Sequence, residues 1–250
     1  MAATITHLLI GERVFPYFRQ FSPVDFGAFL LGCILVDVHV CSAVSRRTTH
    51  FSDGLEINGP YSLQRSCTNF LSQLDKLLLR PWDRLSSNEQ AFVAGYLCHL
   101  AADEEWKRFD RDSVQVLGLR WWADLPMPAN IIITAFEMLT SEFYINRAAV
   151  TAALTGAVIP NVFNHIPHEV FQATWEIVKA PAIEGSLPET YFVMLERLGK
   201  PASEIQSVRQ QLSQYQGDAL AVIQTRLGGV EPRIQAMLKR SLEVLPCLWV

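Results

Sequence analysis

Apolar residues recur three and four positions apart along most of the 250-residue chain, the spacing of helices that bury one face. Thr4 or Thr6 can cap a first short helix through Leu8, Leu9 and Val14, stopped near Pro16. Ser22 followed by Pro23 starts a second, running through Phe26, Phe29, Leu30, Cys33, Ile34 and Leu35. That helix is apolar on nearly every side, so it is expected at the centre of the fold. The stretch after it, from Asp37 past the basic run Arg46-Arg47-Thr48-Thr49-His50, reads as charged loop. A third helix is expected over 63–79, ahead of Pro81. Ser86 with Glu89, or Ser87 with Gln90, makes a capping box before a helix over 88–107. Further helical runs cover 130–154, 170–178, 187–198, 205–227 and 231–245, with Gly228-Gly229 as a break. No segment alternates as a strand does, and no repeat is present. The pattern predicts an all-α, multi-helix protein. The linker-like stretch from Pro181 to Pro188 separates a core over 1–180 from a C-terminal helical extension over 181–250, packed on that core. The extension's amphipathic helices suit packing or a homo-oligomeric contact.

Composition narrows the classes. With 50% hydrophobic and 18% charged residues the chain can bury a core, which excludes general disorder. A net charge of -4 gives no overall attraction for nucleic acid or anionic lipid, so no nucleic-acid partner is expected. The first residues lack a basic region, and Glu12 and Arg13 interrupt the apolar run, unlike a secretory signal. The longest uncharged apolar run, Phe26 to Val36, falls short of the ~20 residues that span a bilayer. No transmembrane segment and a cytoplasmic location are therefore expected. Cys33, Cys41, Cys67, Cys98 and Cys247 are odd in number and form no CxxC, which points to free thiols.

The chemistry sits in few residues. His99 and Asp103, four apart, share one helix face and can grip one ion. Gly95 lies one turn before His99 and leaves space beside the pair, while Phe92 and Tyr96 turn that side inward. A polar pair facing inward must be satisfied, by a metal or by a His–Asp hydrogen bond. Asp37 ends the most apolar helix, where a carboxylate is costly unless it meets a cation or water. His50 follows in the basic run, with Asp53 near it, and His7 lies in the first helix. Each of these alone has an ordinary explanation as a buried or surface side chain. Their order along the chain changes the odds.

That order resembles the zinc-dependent phospholipase C / S1-P1 nuclease superfamily. The resemblance runs through THLLIGERVF, FGAFLLGCILVD, RRTTHF and FVAGYLCHLAADEEW, and covers about the first 110 residues. It implies an all-α phospholipase C-like bundle around two or three Zn2+ ions. By resemblance His50, His99 and Asp103 form the metal core, with Asp103 bridging. Asp37 is a ligand or the general base that orients the attacking water, and His7 holds another metal. Iron and manganese suit the same imidazole and carboxylate donors.

Departures from the family's pattern fall at defined places. No Trp stands near the start, where secreted members use a terminal Trp amine as ligand. Val36 replaces the Pro that usually precedes the aspartate, and His39 is an extra histidine beside it. The family's further histidine beyond the HxxxD helix is absent, with Asp110 and Asp112 as stand-ins. His165 and Glu169 supply a later His-x-x-x-Glu spacing and are candidates for an additional metal; Glu142 is another. Glu104 belongs to an outer layer around the ligands or to a solvated turn. Arg46, Arg47, Lys107, Arg108 and Arg111 offer a rim for an anion, and Trp106, Trp121 and Trp122 a pocket wall or core.

The resemblance implies a metal-dependent hydrolase of phosphoesters, with a phospholipid head group or a small phosphodiester or phosphomonoester as substrate. A metal-dependent lyase or oxidative enzyme on the same helical cage, or a degenerate partner-binding scaffold, are the alternatives.

Overall fold

The computed structural model describes residues 4–52, 65–116, 145–184, 189–226 and 228–249. Among them the chain is mostly helical and contains no strand. The helices are α1 (Thr4–Val14), α2 (Phe26–Leu35), α3 (Arg46–His50), α4 (Ser66–Leu77) and α5 (Ser87–Val116). They continue with α6 (Arg147–Thr155), α7 (His168–Glu184), α8 (Glu189–Arg197), α9 (Ala202–Arg226) and α10 (Glu231–Val244).

The apolar second helix lies at the centre. In α2 every residue after Phe26 is buried, and α1, α5 and α6 close around it. Burying Phe29, Leu30 and Leu31 contributes roughly 1.5–3 kcal/mol each. By length and hydropathy the stretch Pro23–Val40 also meets the measure of a membrane-crossing helix. Here it is a core helix interrupted at both ends: 3₁₀ turns at Pro23–Asp25 and Val36–Val40 flank it and carry Asp25, Asp37 and His39. Buried Asp25 accepts from the Ser22 backbone at 2.9 Å and from Ser87 Oγ at 2.7 Å, which ties the start of α2 to the start of α5.

Glycines let α2 and α5 touch backbone to backbone. A methyl group on Gly32 would overlap the Phe92 carbonyl oxygen, and one on Gly95 would overlap that of Phe29. The space expected beside His99 is therefore filled by the backbone of α2. This contact fixes which atoms of α2 face His99.

Four expectations change. The run from Arg46 to His50 is helical, not loop: Ser45 caps it by accepting from the Thr48 backbone at 3.2 Å. The helix carrying His99 runs to Val116, well past Lys107. The helix expected over 170–178 begins at His168 and continues through Pro181 to Glu184, so the linker-like stretch is partly helical. Proline lacks the N–H that would bond the Ile177 carbonyl. Arg197 reaches back from α8 and donates to the Glu176 carbonyl at 2.7 Å and to that of Ile177 at 3.4 Å. Residues 185–188 of the linker and 130–144 of an expected helix lie outside the described residues.

The C-terminal helices return to the core. α10 packs on α5 and α1, and the 3₁₀ segment Leu245–Trp249 sets Trp249 against Phe18, Phe21 and Trp82. Glu104, buried on α5, accepts from Arg240 Nη2 on α10 at 2.8 Å and from the Cys67 backbone on α4 at 2.9 Å. It is not a solvated turn but the charged joint of three helices.

Candidate metal centre

Four separate elements bring six side chains to one place. α1 supplies His7, the Val36–Val40 turn supplies Asp37 and His39, α3 supplies His50, and α5 supplies His99 and Asp103. His7, His50, His99 and Asp103 are buried, while Asp37 and His39 retain 23% and 14% side-chain exposure. The centre therefore has a closed floor and an open side at Asp37 and His39. Arg46, with a side chain 23% exposed, also stands on the open side and donates to Asp103 Oδ2 at 3.0 Å.

The ring orientations follow from bonds behind each histidine. His99 Nδ1 lies 2.7 Å from the Cys33 carbonyl oxygen. A carbonyl only accepts, so Nδ1 carries the proton and Nε2 of the neutral ring presents a lone pair to the centre. The close crossing at Gly32 and Gly95 is what puts that carbonyl in reach. His50 is held through Thr49. Its Nδ1 lies 2.7 Å from Thr49 Oγ1, which donates to the Arg46 carbonyl at 3.2 Å, so Nδ1–H donates to Thr49. The Tyr96 hydroxyl donates to the Thr49 carbonyl at 2.5 Å and anchors α3 on α5. Phe51, next in the chain, adopts the left-handed backbone with φ 53°, and Asn69 Nδ2 donates to its carbonyl at 2.8 Å. That conformation costs an aromatic residue roughly 1–3 kcal/mol and directs the chain away immediately after His50.

The front atoms converge. His50 Nε2 and His99 Nε2 are 3.3 Å apart. Asp37 Oδ1 lies 3.3 Å from His50 Nε2 and 3.9 Å from His99 Nε2. Asp103 Oδ2 lies 3.4 Å from His50 Nε2, and its Oδ1 lies 3.5 Å from His7 Nε2. The His7 and His99 rings stack at 3.8 Å. Both His7 nitrogens, His39 Nδ1, Asp37 Oδ1 and Asp103 Oδ1 are buried without a hydrogen bond among the described residues.

The cluster selects for positive charge. Burial alone would raise both carboxyls, yet the imidazoles overcome it: His99 and His50 hold Asp37, and His50 and His7 hold Asp103, well below the carboxylate range. Burial and the neighbouring His7 push His99 down to about 3, so it is neutral. Burial pushes His39 down to about 4. His50 goes the other way, because contacts with Asp103 and Asp37 outweigh its burial and raise it. A metal ligand must be the deprotonated imidazole, so cation binding would displace any proton on His50.

Three overlapping groups have donor atoms within 4.8 Å of one another and could hold a metal ion: His7/Asp37/His99, Asp37/His39/His50 and His50/His99/Asp103. Imidazole and carboxylate donors without thiolate suit zinc, iron or manganese.

The other expected residues lie elsewhere or outside the described set. His165 borders Phe51 and Phe163 in a cavity of about 560 Å³ shared with Arg47, Ser52, Asn69 and Gln73. Glu169 is exposed in the first turn of α7, and neither residue belongs to the three groups. Arg108 pairs with Glu105 at 2.6 Å, and Trp106 is core. Asp53, Trp121, Trp122 and Glu142, and the side chains of Asp110, Arg111 and Asp112, lie outside what is described. Sequence reasoning missed Thr49, Arg240 and the hydroxyl contact of Tyr96. The cap signal at Ser45 could have revealed α3; the other contacts have no local signature. No known protein family, curated protein or solved structure matches the chain.

Proposed function

We propose that the chain is a metal-dependent hydrolase of phosphoester bonds, built on a bundle of the phospholipase C / S1-P1 nuclease kind. The observation that carries this reading is the His50–His99 pair, two Nε2 atoms 3.3 Å apart between two carboxylates. With both Nδ1 atoms donating backwards, two lone pairs face each other, an arrangement relieved by a proton or by a cation. A bound divalent ion would polarise a phosphoryl oxygen and lower the pKa of a coordinated water toward neutrality.

The chain's own groups divide the remaining work. His50, His99 and Asp103, one of the candidate groups, would hold the cation on the closed floor, with the His7 ring stacked beside His99. Asp37 faces the open side with Oδ1 free of hydrogen bonds, placed to accept the proton of an attacking water. Arg46 stands at the same opening and presents a planar fork of donors to a phosphoryl group. A phospholipid head group and a small phosphodiester or phosphomonoester both present such a group.

The test is turnover of a phosphodiester and phosphomonoester panel by the chelator-stripped protein, before and after Zn2+, Mn2+ or Fe2+ is restored. Metal-dependent hydrolysis that Asp37→Asn abolishes is the expected result. Bound metal with no hydrolysis across the panel would move the reading to a lyase or oxidative reaction, and failure to bind any of the three ions would leave a scaffold.

A further inference from the structure

We propose that the cavity beside His165 is a phosphate-binding site, in which Arg47 supplies positive charge and Ser52 and His165 supply hydrogen bonds. The site is separate from the metal centre and stands whether or not that centre binds a cation.

The cavity, of about 560 Å³, lies between α3, the residues that follow it, α4 and His165. Sites for small organic ligands span roughly 300–1,000 Å³. Local geometry divides this space from the metal centre. Successive residues of a helix point roughly 100° apart. Arg46 and Arg47 therefore leave α3 in different directions: Arg46 donates to Asp103, while Arg47 borders the cavity. The left-handed turn at Phe51 then leads the chain away from His50 and sets Ser52 in the cavity wall.

The polar groups of that wall fall into two sets. Thr48, Asn69 and Gln73 are held by local bonds. The Thr48 hydroxyl pairs with Ser45 Oγ at 2.8 Å, Asn69 donates to the Phe51 carbonyl at 2.8 Å, and Gln73 donates to the Asn69 carbonyl at 3.1 Å. Arg47, Ser52 and His165 are not held in this way. The Arg47 side chain has no ion pair or hydrogen bond among the described residues. Ser52 is 5% exposed, and its Oγ is buried without a hydrogen bond. Both ring nitrogens of His165 are also buried without one; the Leu77 backbone favours the charged ring but makes no bond of normal length and angle with it. Buried polar groups without partners are rare in folded chains, and here they border one space.

The donors select the ligand. Among the described residues His165 is the only wall side chain of a metal-ligating type, too few for a cation. No carboxylate belongs to the described wall, so nothing there neutralises Arg47. A guanidinium, a hydroxyl and an imidazole N–H all donate to the oxygens of an anion. They come from three places in the chain, which suits the several outward oxygens of a phosphate better than the planar pair of a carboxylate. Free phosphate and a small phosphate ester share this chemistry.

The experiment uses the full-length chain, stripped of metal and then freed of chelator, so that no ion can recruit phosphate. Inorganic phosphate and, separately, glycerol phosphate are titrated at neutral pH while NMR follows the His165 ring, assigned by its absence in His165→Phe. A saturable shift of that signal is expected in wild type. Arg47→Ala, at an exposed position, should weaken binding about tenfold or more, the size of a lost charge-assisted hydrogen bond. Ser52→Ala should weaken it as well, and Arg46→Ala should leave it undiminished. Tighter binding of glycerol phosphate supports the site with an ester as its ligand; equal or tighter binding of inorganic phosphate supports it with the free ion. No saturable shift with either compound in folded wild type overturns the proposal. A shift that Arg47→Ala leaves unchanged, or that Arg46→Ala abolishes, overturns it too.

Discussion

His99 Nδ1 donates to the carbonyl oxygen of Cys33 across 2.7 Å, so a backbone atom of α2 decides which nitrogen of a histidine on α5 faces the centre. The bond exists because Gly32 and Gly95 let the two helices touch. Helix contact and ligand chemistry are thus one structural fact.

Substitution of Gly95 tests that link. Gly95→Ala places a methyl group against the Phe29 carbonyl, and the helices must separate. Overpacking of this kind costs about 1–3 kcal/mol. Thermal unfolding should show that loss, together with weaker metal retention. Gly217→Ala, in open space on α9, should instead stabilise by up to ~1 kcal/mol. Equal effects from the two substitutions would contradict the contact.

The joint between α5 and α10 makes a second expectation. Arg240→Leu strands the buried Glu104 carboxylate and should cost about 3–5 kcal/mol. The double variant Glu104→Leu/Arg240→Leu should recover most of it. Chemical denaturation measures both, and a double variant as unstable as the single one would show that the charge pair is not the cause.

Arg46 should act on substrate and not on metal. Arg46→Ala is expected to raise KM about tenfold or more for a phosphomonoester, the size of a lost charge-assisted hydrogen bond. Metal content should stay unchanged. A parallel loss of metal would instead make Arg46 part of the binding cage.

His165 predicts a pH dependence of stability. Burial lowers it from 6.5 to about 4 in the folded chain. Below pH 6.5 the unfolded chain takes up a proton that the folded chain refuses until about pH 4, so stability falls as the pH falls through this window. The loss is on the order of 2 kcal/mol after allowing for the solvent-reached part of the ring. His165→Phe keeps the contacts with Phe51 and Phe163 and should make the denaturation profile less steep between pH 6.5 and 4, with the remaining slope carried by His39 and His99, which burial lowers in the same way.

Helical periodicity made the all-α class legible, because amphipathic spacing and the Ser22 and Ser86 caps are local signals. The capping at Ser45 is equally local, yet the charged run of Arg46 and Arg47 reads as loop without its tertiary partner Tyr96. The helix through Pro181 was hidden because its compensation comes from Arg197, sixteen residues on. His7, Asp37, His50, His99 and Asp103 could be singled out by their order in sequence, and the fold gathers them. His39 was less legible, since only the non-helical angles of Asp37 turn it toward the cluster. Glu104 reads as surface charge until Arg240, distant in sequence, is placed beside it.

The central claim is that His50, His99 and their carboxylates are a cation site, and metal content measures it most directly. Atomic emission on wild type and on folded His99→Ala, both purified without chelator, compares them. Bound Zn, Mn or Fe in wild type and its loss in His99→Ala is the predicted result. Equal metal content in the two proteins, or none in folded wild type, would contradict the claim.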